Sequence, residues 1–269
     1  MSGQQVSRCG GDAVLYALDS HGVVTVSLNR PESRNAIDDV MIDGLLEALA
    51  WVDNEPAARC VVLTSTHEAV FSAGGNLKGF AAEESIIDKH ARNGRLPGVI
   101  AAMMRLKVPI LCALNGHALA GGLGLVLACD LVLAREGIRV GTPEINVGVF
   151  PFMISTLMLR NIPRKRVCEL VFLGEQLSAE EALELGIVNR VVDTERFAET
   201  VADWSQRLAS KSPLMLKLGK RALFETQDLP LDGALALLQH YLTLAQGTDD
   251  VKEGVAAFME KRPPVWRGA

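Results

Sequence analysis

The chain has 269 residues, 49% of them hydrophobic and 22% charged, a globular composition able to fill one large core, alone or with a smaller appendage. The formal net charge of −5 and the pI near 5.6 create no overall field toward nucleic acid or an anionic membrane. Cys9, Cys60, Cys112, Cys129 and Cys168 are odd in number and lack CxxC spacing, which reads as reduced thiols rather than a disulfide or zinc framework. The N-terminus MSGQQVSRCGGDAV has no hydrophobic signal region, and the apolar run Ala118–Cys129 is too short to span a bilayer. The expectation is a soluble, cytoplasmic protein.

In chain order, residues 1–12 are polar and expected to fray. Val14–Leu18 and Val23–Leu28 have strand character, joined by the turn 19–22, and Val24, Val26 and Leu28 share one face. The polar loop NRPESRNAID ends in a helix cap at Asp38 or Asp39. Met41, Leu45, Ala48, Leu49 and Val52 then follow at helical spacing. Arg59–Thr64 is a short apolar run fit for a buried strand. It leads to Phe71-Ser72-Ala73-Gly74-Gly75-Asn76-Leu77-Lys78, a strand running into a small-residue turn. Residues 79–98, with Gly94, Pro97 and Gly98, show no clear period and read as a surface loop or a segment over a site.

The strand-like Val108–Ala113 precedes LNGHALAGGLGLVLACD, residues 114–130, in which Gly116, Gly121, Gly122 and Gly124 crowd together. A phosphate loop is excluded because Gly122 stands where lysine is needed, and a dinucleotide fingerprint because Leu127 replaces its last glycine. The glycines serve either close helix packing or the approach of backbone to a ligand. A helix beginning near Gly121 would aim free N–H groups at an anion or a polarised carbonyl oxygen. Two such turns, each after a hydrophobic strand, could place two N–H groups around one atom.

Leu131–Ala134 is another buried-strand pattern. Glu144 follows, an isolated acid among apolar and small residues. It is either a capping or arginine-paired carboxylate, or a group whose pKa burial raises until it shuttles protons near neutrality. From Phe150 the pattern turns helical. A capping box opens at Ser178, Ile187–Val192 has strand character, and helices are expected over 195–208, 213–224, 231–245 and 249–259. Alternating strands and helices to about residue 192, then helices alone, indicate an α/β core with a helical C-terminal part.

Asn29-Arg30-Pro31-Glu32-Ser33-Arg34-Asn35-Ala36, Phe71–Lys78, Asn115–Asp130, Pro143-Glu144 and Leu177–Val192 together resemble the crotonase superfamily, the enoyl-CoA hydratase/isomerase proteins, over nearly the whole chain. The resemblance implies a spiral of ββα turns over residues 1–192 carrying an acyl-CoA site. Residues 193–269 would be a helical region assembling homotrimers, often paired as hexamers. It implies an acyl-CoA substrate, no metal, no cofactor beyond the coenzyme A of the substrate, and no nucleic-acid or membrane partner. By the same resemblance the thioester oxygen sits between the N–H groups of Gly75 and Gly121, and Glu144 moves the proton. Arg34, Ala36, Ala73, Gly75, Asn76, Leu77, Lys78 and Gly121 line the path of substrate and coenzyme A.

One position departs from that pattern. Typical hydratases resembling this chain carry a second glutamate three residues after the second oxyanion glycine, where this chain has Gly124. A single glutamate suits moving a proton between the α- and γ-carbons of a 3-enoyl thioester, and hydration of a 2-enoyl thioester is the other expectation. A different reaction of the same superfamily, hydrolysis or decarboxylation of an acyl-CoA, and a non-catalytic acyl-CoA-binding relative are the alternatives.

Overall fold

A computed structural model describes residues 7–76 and 83–269; Leu77 and Lys78, expected along the coenzyme path, lie outside the described residues. A seven-stranded sheet begins with the antiparallel meander β1 (Ser7–Cys9), β2 (Val14–Leu18) and β3 (Val23–Leu28). It continues in parallel through β4 (Cys60–Ser65), β6 (Ile110–Leu114), β8 (Leu131–Arg135) and β11 (Arg190–Val192). A smaller four-stranded sheet is ordered β10 (Gln176–Ser178), β9 (Arg139–Gly141), β7 (His117–Leu119), β5 (Val70–Ser72). The chain gives one strand to each sheet in turn, β4 then β5, β6 then β7, β8 then β9, and a helical crossover returns it after the first two pairs. This is the expected α/β spiral of ββα turns.

The alternation of side chains along the strands builds two cores. On β4, Val61 and Leu63 join the larger cluster, with Met41, Leu45, Leu49 and Val52 of α1 (Asp39–Asn54). Cys60 and Val62 face the opposite way, with Leu111 and Leu133, and are covered by Phe197, Val201, Trp204 and Leu208 of α8 (Thr194–Ala209). The start of α1 is fixed by Asp38, whose carboxylate accepts from Met41 N at 3.1 Å and from Arg30 Nη1 at 2.5 Å.

Three expectations need correction. Ser7–Cys9 pairs with β2 instead of fraying. The segment expected to be irregular contains, in its described part, α2 (Ile86–Asn93) and the start of α3 (Arg95–Arg105). Ser85 caps α2 through Asp88 N, and Val99, Ile100 and Met103 bury one face of α3. Pro97 does not stop α3 because it lies in the first turn, where N–H groups have no partner within the helix. The strand expected over 187–192 shrinks to β11, because Ile187 and Val188 donate to Ala182 O at 2.9 and 3.3 Å and so close α7 (Ala179–Glu184).

The remaining helices are α4 (Gly121–Leu127), α5 (Phe152–Asn161), α6 (Arg164–Leu173), α9 (Pro213–Thr226), α10 (Leu231–Gln246) and α11 (Asp249–Glu260). Among the described residues no helix is long and apolar enough to cross a membrane. Lys220 of α9 ties the C-terminal helices to the core. Its ammonium donates to Met103 O (3.0 Å), Val108 O (3.2 Å) and Asp130 Oδ2 (2.7 Å), with only 8% of the side chain exposed. Lys220→Met removes three hydrogen bonds at once, leaving Met103 O with Leu106 N (3.3 Å) and Asp130 Oδ2 with Ile110 N (2.7 Å). We expect a loss of about 2 kcal/mol, read as a lower urea midpoint at unchanged slope.

Candidate active site

The site begins where β5 and β7 each run into a turn. After β5, Gly74 takes φ +88°, a conformation that favours glycine, and a Cβ there would lie 2.4 Å from Ala120 Cβ. The loop before α1 grips this turn from the other side. Ala73 N donates to Arg34 O at 3.0 Å, Ile37 N to Gly74 O at 2.8 Å, and Ile37 bridges Gly75 in parallel register. Asn35 pins the loop from inside: fully buried, its amide donates to Ser65 Oγ (2.7 Å) and Phe71 O (2.9 Å) and accepts from Arg30 N (2.7 Å). Arg34, Ala36, Ala73, Gly75 and Asn76 are thereby gathered at one corner. Arg34, Ala73, Gly75 and Asn76 are exposed there, open to a ligand.

After β7, Ala120 takes φ 53° and ψ −128° and α4 starts at Gly121, as the glycine run predicts. A Cβ built on Gly121 would lie 3.8 Å from Gly75 N. The two turns therefore bring the Gly75 and Gly121 backbones side by side. Among the described residues neither N–H has a protein acceptor. The same Gly121 position faces Ile37 Cδ1 at 3.2 Å and Leu96 Cδ2 at 3.3 Å, so the surroundings are apolar.

Glu144 reaches this region through β9. Leu119 pairs with Gly141, and Ala120 donates to Gly141 O at 2.9 Å, immediately before Gly121. Three residues past Gly141, Glu144 sits in the 3-10 turn Pro143–Val147. Its Oε2 is buried and meets no donor among the described residues. Burial pushes its carboxyl above the ordinary value of 4.5, and its own backbone N–H offsets this only in part. Neither structural alternative read from the sequence, an arginine pair or a satisfied cap, accounts for that oxygen. A carboxyl held this way takes up a proton more readily than a free one.

Three features of the site carry weak sequence signals. Leu96 and Ile100 belong to α3, which Pro97 and Gly98 obscured; the spacing Leu96, Val99, Ile100, Met103 was the signal that could have exposed it. Ile154 of α5 stands against Gly124, where a Cβ would lie 2.4 Å from Ile154 Cγ2 and 3.9 Å from Ile100 Cδ1. His117, in β7, accepts from Arg139 N at 2.9 Å through Nδ1, and burial with Arg139 and Arg135 nearby lowers its pKa. It serves the β7–β9 junction as a neutral acceptor.

The raised value of Glu144 has a consequence for stability. The folded protein holds this proton more tightly than the unfolded chain does. The contribution of this group to stability is therefore fully present below 4.5 and is lost as the pH rises through the higher folded value. Glu144→Gln removes that loss. The variant should melt above the wild type at pH 7 and with it at pH 4, as read by calorimetry across pH.

Known proteins share this fold. A family model described as enoyl-CoA hydratase/isomerase covers residues 19–269. The chain is 35% identical to (E)-benzylidenesuccinyl-CoA hydratase of Thauera aromatica, across 93% of this chain and 97% of that one. It is 31% identical to 2,3-dehydroadipyl-CoA hydratase of Escherichia coli strain K12, across 91% and 95%. A crystal structure of enoyl-CoA hydratase from Mycobacterium smegmatis superposes with a TM-score of 0.91 at 33% identity, over 94% of this chain and 98% of that one. On these grounds, and on the spiral of paired strands and crossover helices, the chain belongs to the enoyl-CoA hydratase/isomerase family of the crotonase superfamily.

Proposed function

We propose that the protein acts on an acyl-CoA through a thioester enolate, with Glu144 as the one acid–base group, and that it moves a double bond from the 3- to the 2-position. The observation that carries this reading is the half-buried carboxylate of Glu144, whose buried Oε2 meets no donor among the described residues, on a turn joined through Gly141 and Ala120 to the two adjacent glycine N–H groups. A thioester α-proton is too weakly acidic to leave unless charge on the oxygen is stabilised. Two fixed N–H donors in apolar surroundings supply this, each worth about 10²–10³ in rate. Glu144 takes the α-proton, the electron pair spreads over the dienolate and onto the oxygen between Gly75 and Gly121, and the same proton returns at the γ-carbon. No atom is gained or lost, and the step calls for no metal or redox cofactor. Arg34, Ala36, Ala73 and Asn76 line the coenzyme path.

A second reading, hydration or dehydration of a 2-enoyl thioester, is favoured by the names of the relatives, which include carnitinyl-CoA dehydratase of Salmonella typhi at 34% identity. Mass spectrometry in heavy water separates the two. The isomerase converts 3-enoyl-CoA to 2-enoyl-CoA with no added water, whereas a hydratase product is heavier by one water. Release of free coenzyme A or carbon dioxide would point to hydrolysis or decarboxylation, and binding without turnover to a non-catalytic relative. Glu144→Gln should lower turnover by about 10²–10⁴ with the 3-enoyl ester still bound; full activity in that variant refutes the proton-transfer role.

We further propose that residues 193–269 assemble the chain into homotrimers or hexamers, and that the protein is cytoplasmic. Leu231, Leu235, Leu238 and Leu242 of α10 stand exposed along one face, and α10 buries none of its residues. An apolar face of this kind calls for cover. Cys60, Cys112, Cys129 and Cys168 are free thiols, which suits a reducing compartment. Leu235→Lys with Leu242→Lys should shift the sedimenting species to the monomer, and an unchanged mass would remove α10 from the interface.

A further inference from the structure

Resting on the single-carboxylate reading above, we infer that Ile154 is the residue that confines the site to proton transfer. Its Cγ2 branch fills the space in which a second acid, or the water such an acid would hold, has to stand.

The argument starts from α4. Gly121 and Gly124 are three residues apart and share one face of that helix. The space before Gly124 therefore continues the space before the Gly121 N–H. A Cβ at Gly124 would lie 2.4 Å from Ile154 Cγ2 and 3.4 Å from Ile154 Cβ, with Ile100 Cδ1 at 3.9 Å. The first distance is well inside contact, so no side chain enters at 124 while that branch is present. Ile154 is 2% exposed and packed into the main core, so it does not swing aside to make room. Ile37, Leu96, Ile100 and Ile154 form the wall, and none offers a hydrogen bond to water. The glycine at 124 and the isoleucine at 154 thus act as one device: the small residue admits the large one, and the large one keeps the pocket dry.

The test uses the branch itself. Valine at 154 keeps Cγ2 and alanine removes it. Gly124→Glu is therefore made with Ile154→Val and with Ile154→Ala, and each protein is given crotonyl-CoA in ¹⁸O-labelled water. In hydration the β-carbon gains the water oxygen, the α-carbon gains a proton, and nothing leaves. G124E/I154A should incorporate solvent oxygen at least tenfold faster than G124E/I154V and than wild type. Equal rates in the two double variants, with both folded by circular dichroism, overturn the steric role. Should Gly124→Glu be insoluble in both backgrounds, Ile154→Ala alone decides: incorporation rising tenfold or more over wild type supports the inference, and no rise overturns it. Wild type that already adds water as fast as it isomerises 3-enoyl-CoA overturns both the inference and the reading beneath it. Wild type that only isomerises, beside a G124E/I154A that adds no water, overturns the inference alone.

Discussion

The site depends on the close approach of two backbone turns, the one after β5 and the one after β7. A Cβ at Gly74 would meet Ala120 Cβ at 2.4 Å and Leu119 O at 2.8 Å, and one at Gly122 would meet Ser72 O at 2.7 Å. These contacts leave no room for a side chain at 74 or 122, and they bring Gly75 and Gly121 together. Ala120 bears the cost, because φ 53° with ψ −128° is poor for a residue with a Cβ, about 1–3 kcal/mol. It is held there from both sides: its N–H donates to Gly141 O, and its carbonyl accepts from Leu123 N at 3.0 Å as α4 begins. Strain of this kind persists where the surroundings over-determine it. Here it fixes the direction of two N–H groups, the donors of the proposed reaction.

Buried polar bonds stabilise the same junction. Asn35, itself at φ 51°, joins three segments with its amide, and Ser72 Oγ donates to Asn35 O at 2.8 Å. Since backbone donors cannot be altered by changing side chains, residues such as Asn35 and Ser72 are where the chain can adjust them. The ionic contacts of Arg95 with Asp39 and Asp43 add a tie between α3 and α1 on the surface, where their contribution is small.

How much of this was legible follows from the range of each signal. The paired turns were, because small residues after hydrophobic strands mark close approach within a few positions. The isolated acid at 144 was visible, but the lack of a donor for its Oε2 among the described residues was not, since partners come from distant segments. The glycine at 124 was evident, while its cause, Ile154, lies thirty residues on and touches it only after α5 folds against α4. Pro97 concealed α3 because its effect depends on position within the helix. The leucines of α10 have the spacing of a core helix in sequence, yet they face outward here. Periodicity reports a face to be covered and says nothing of whether the cover is the same chain.

The absence of a second acid has its own electrostatic logic. In the proposed reaction the pocket holds one negative charge at every stage. It rests on Glu144 before proton removal, on the thioester oxygen afterwards, and on Glu144 again when the proton returns. Burial that raises the carboxyl's proton affinity narrows the gap between these states, and the two N–H groups narrow it from the other side. A second carboxylate beside Gly124 would add a like charge in apolar surroundings, disfavouring the enolate unless it was itself neutralised by water or a proton. An isoleucine there costs nothing of that kind. It adds packing, and in the proposed reaction it excludes water from the developing charge and so strengthens the pull of the two donors on the thioester oxygen.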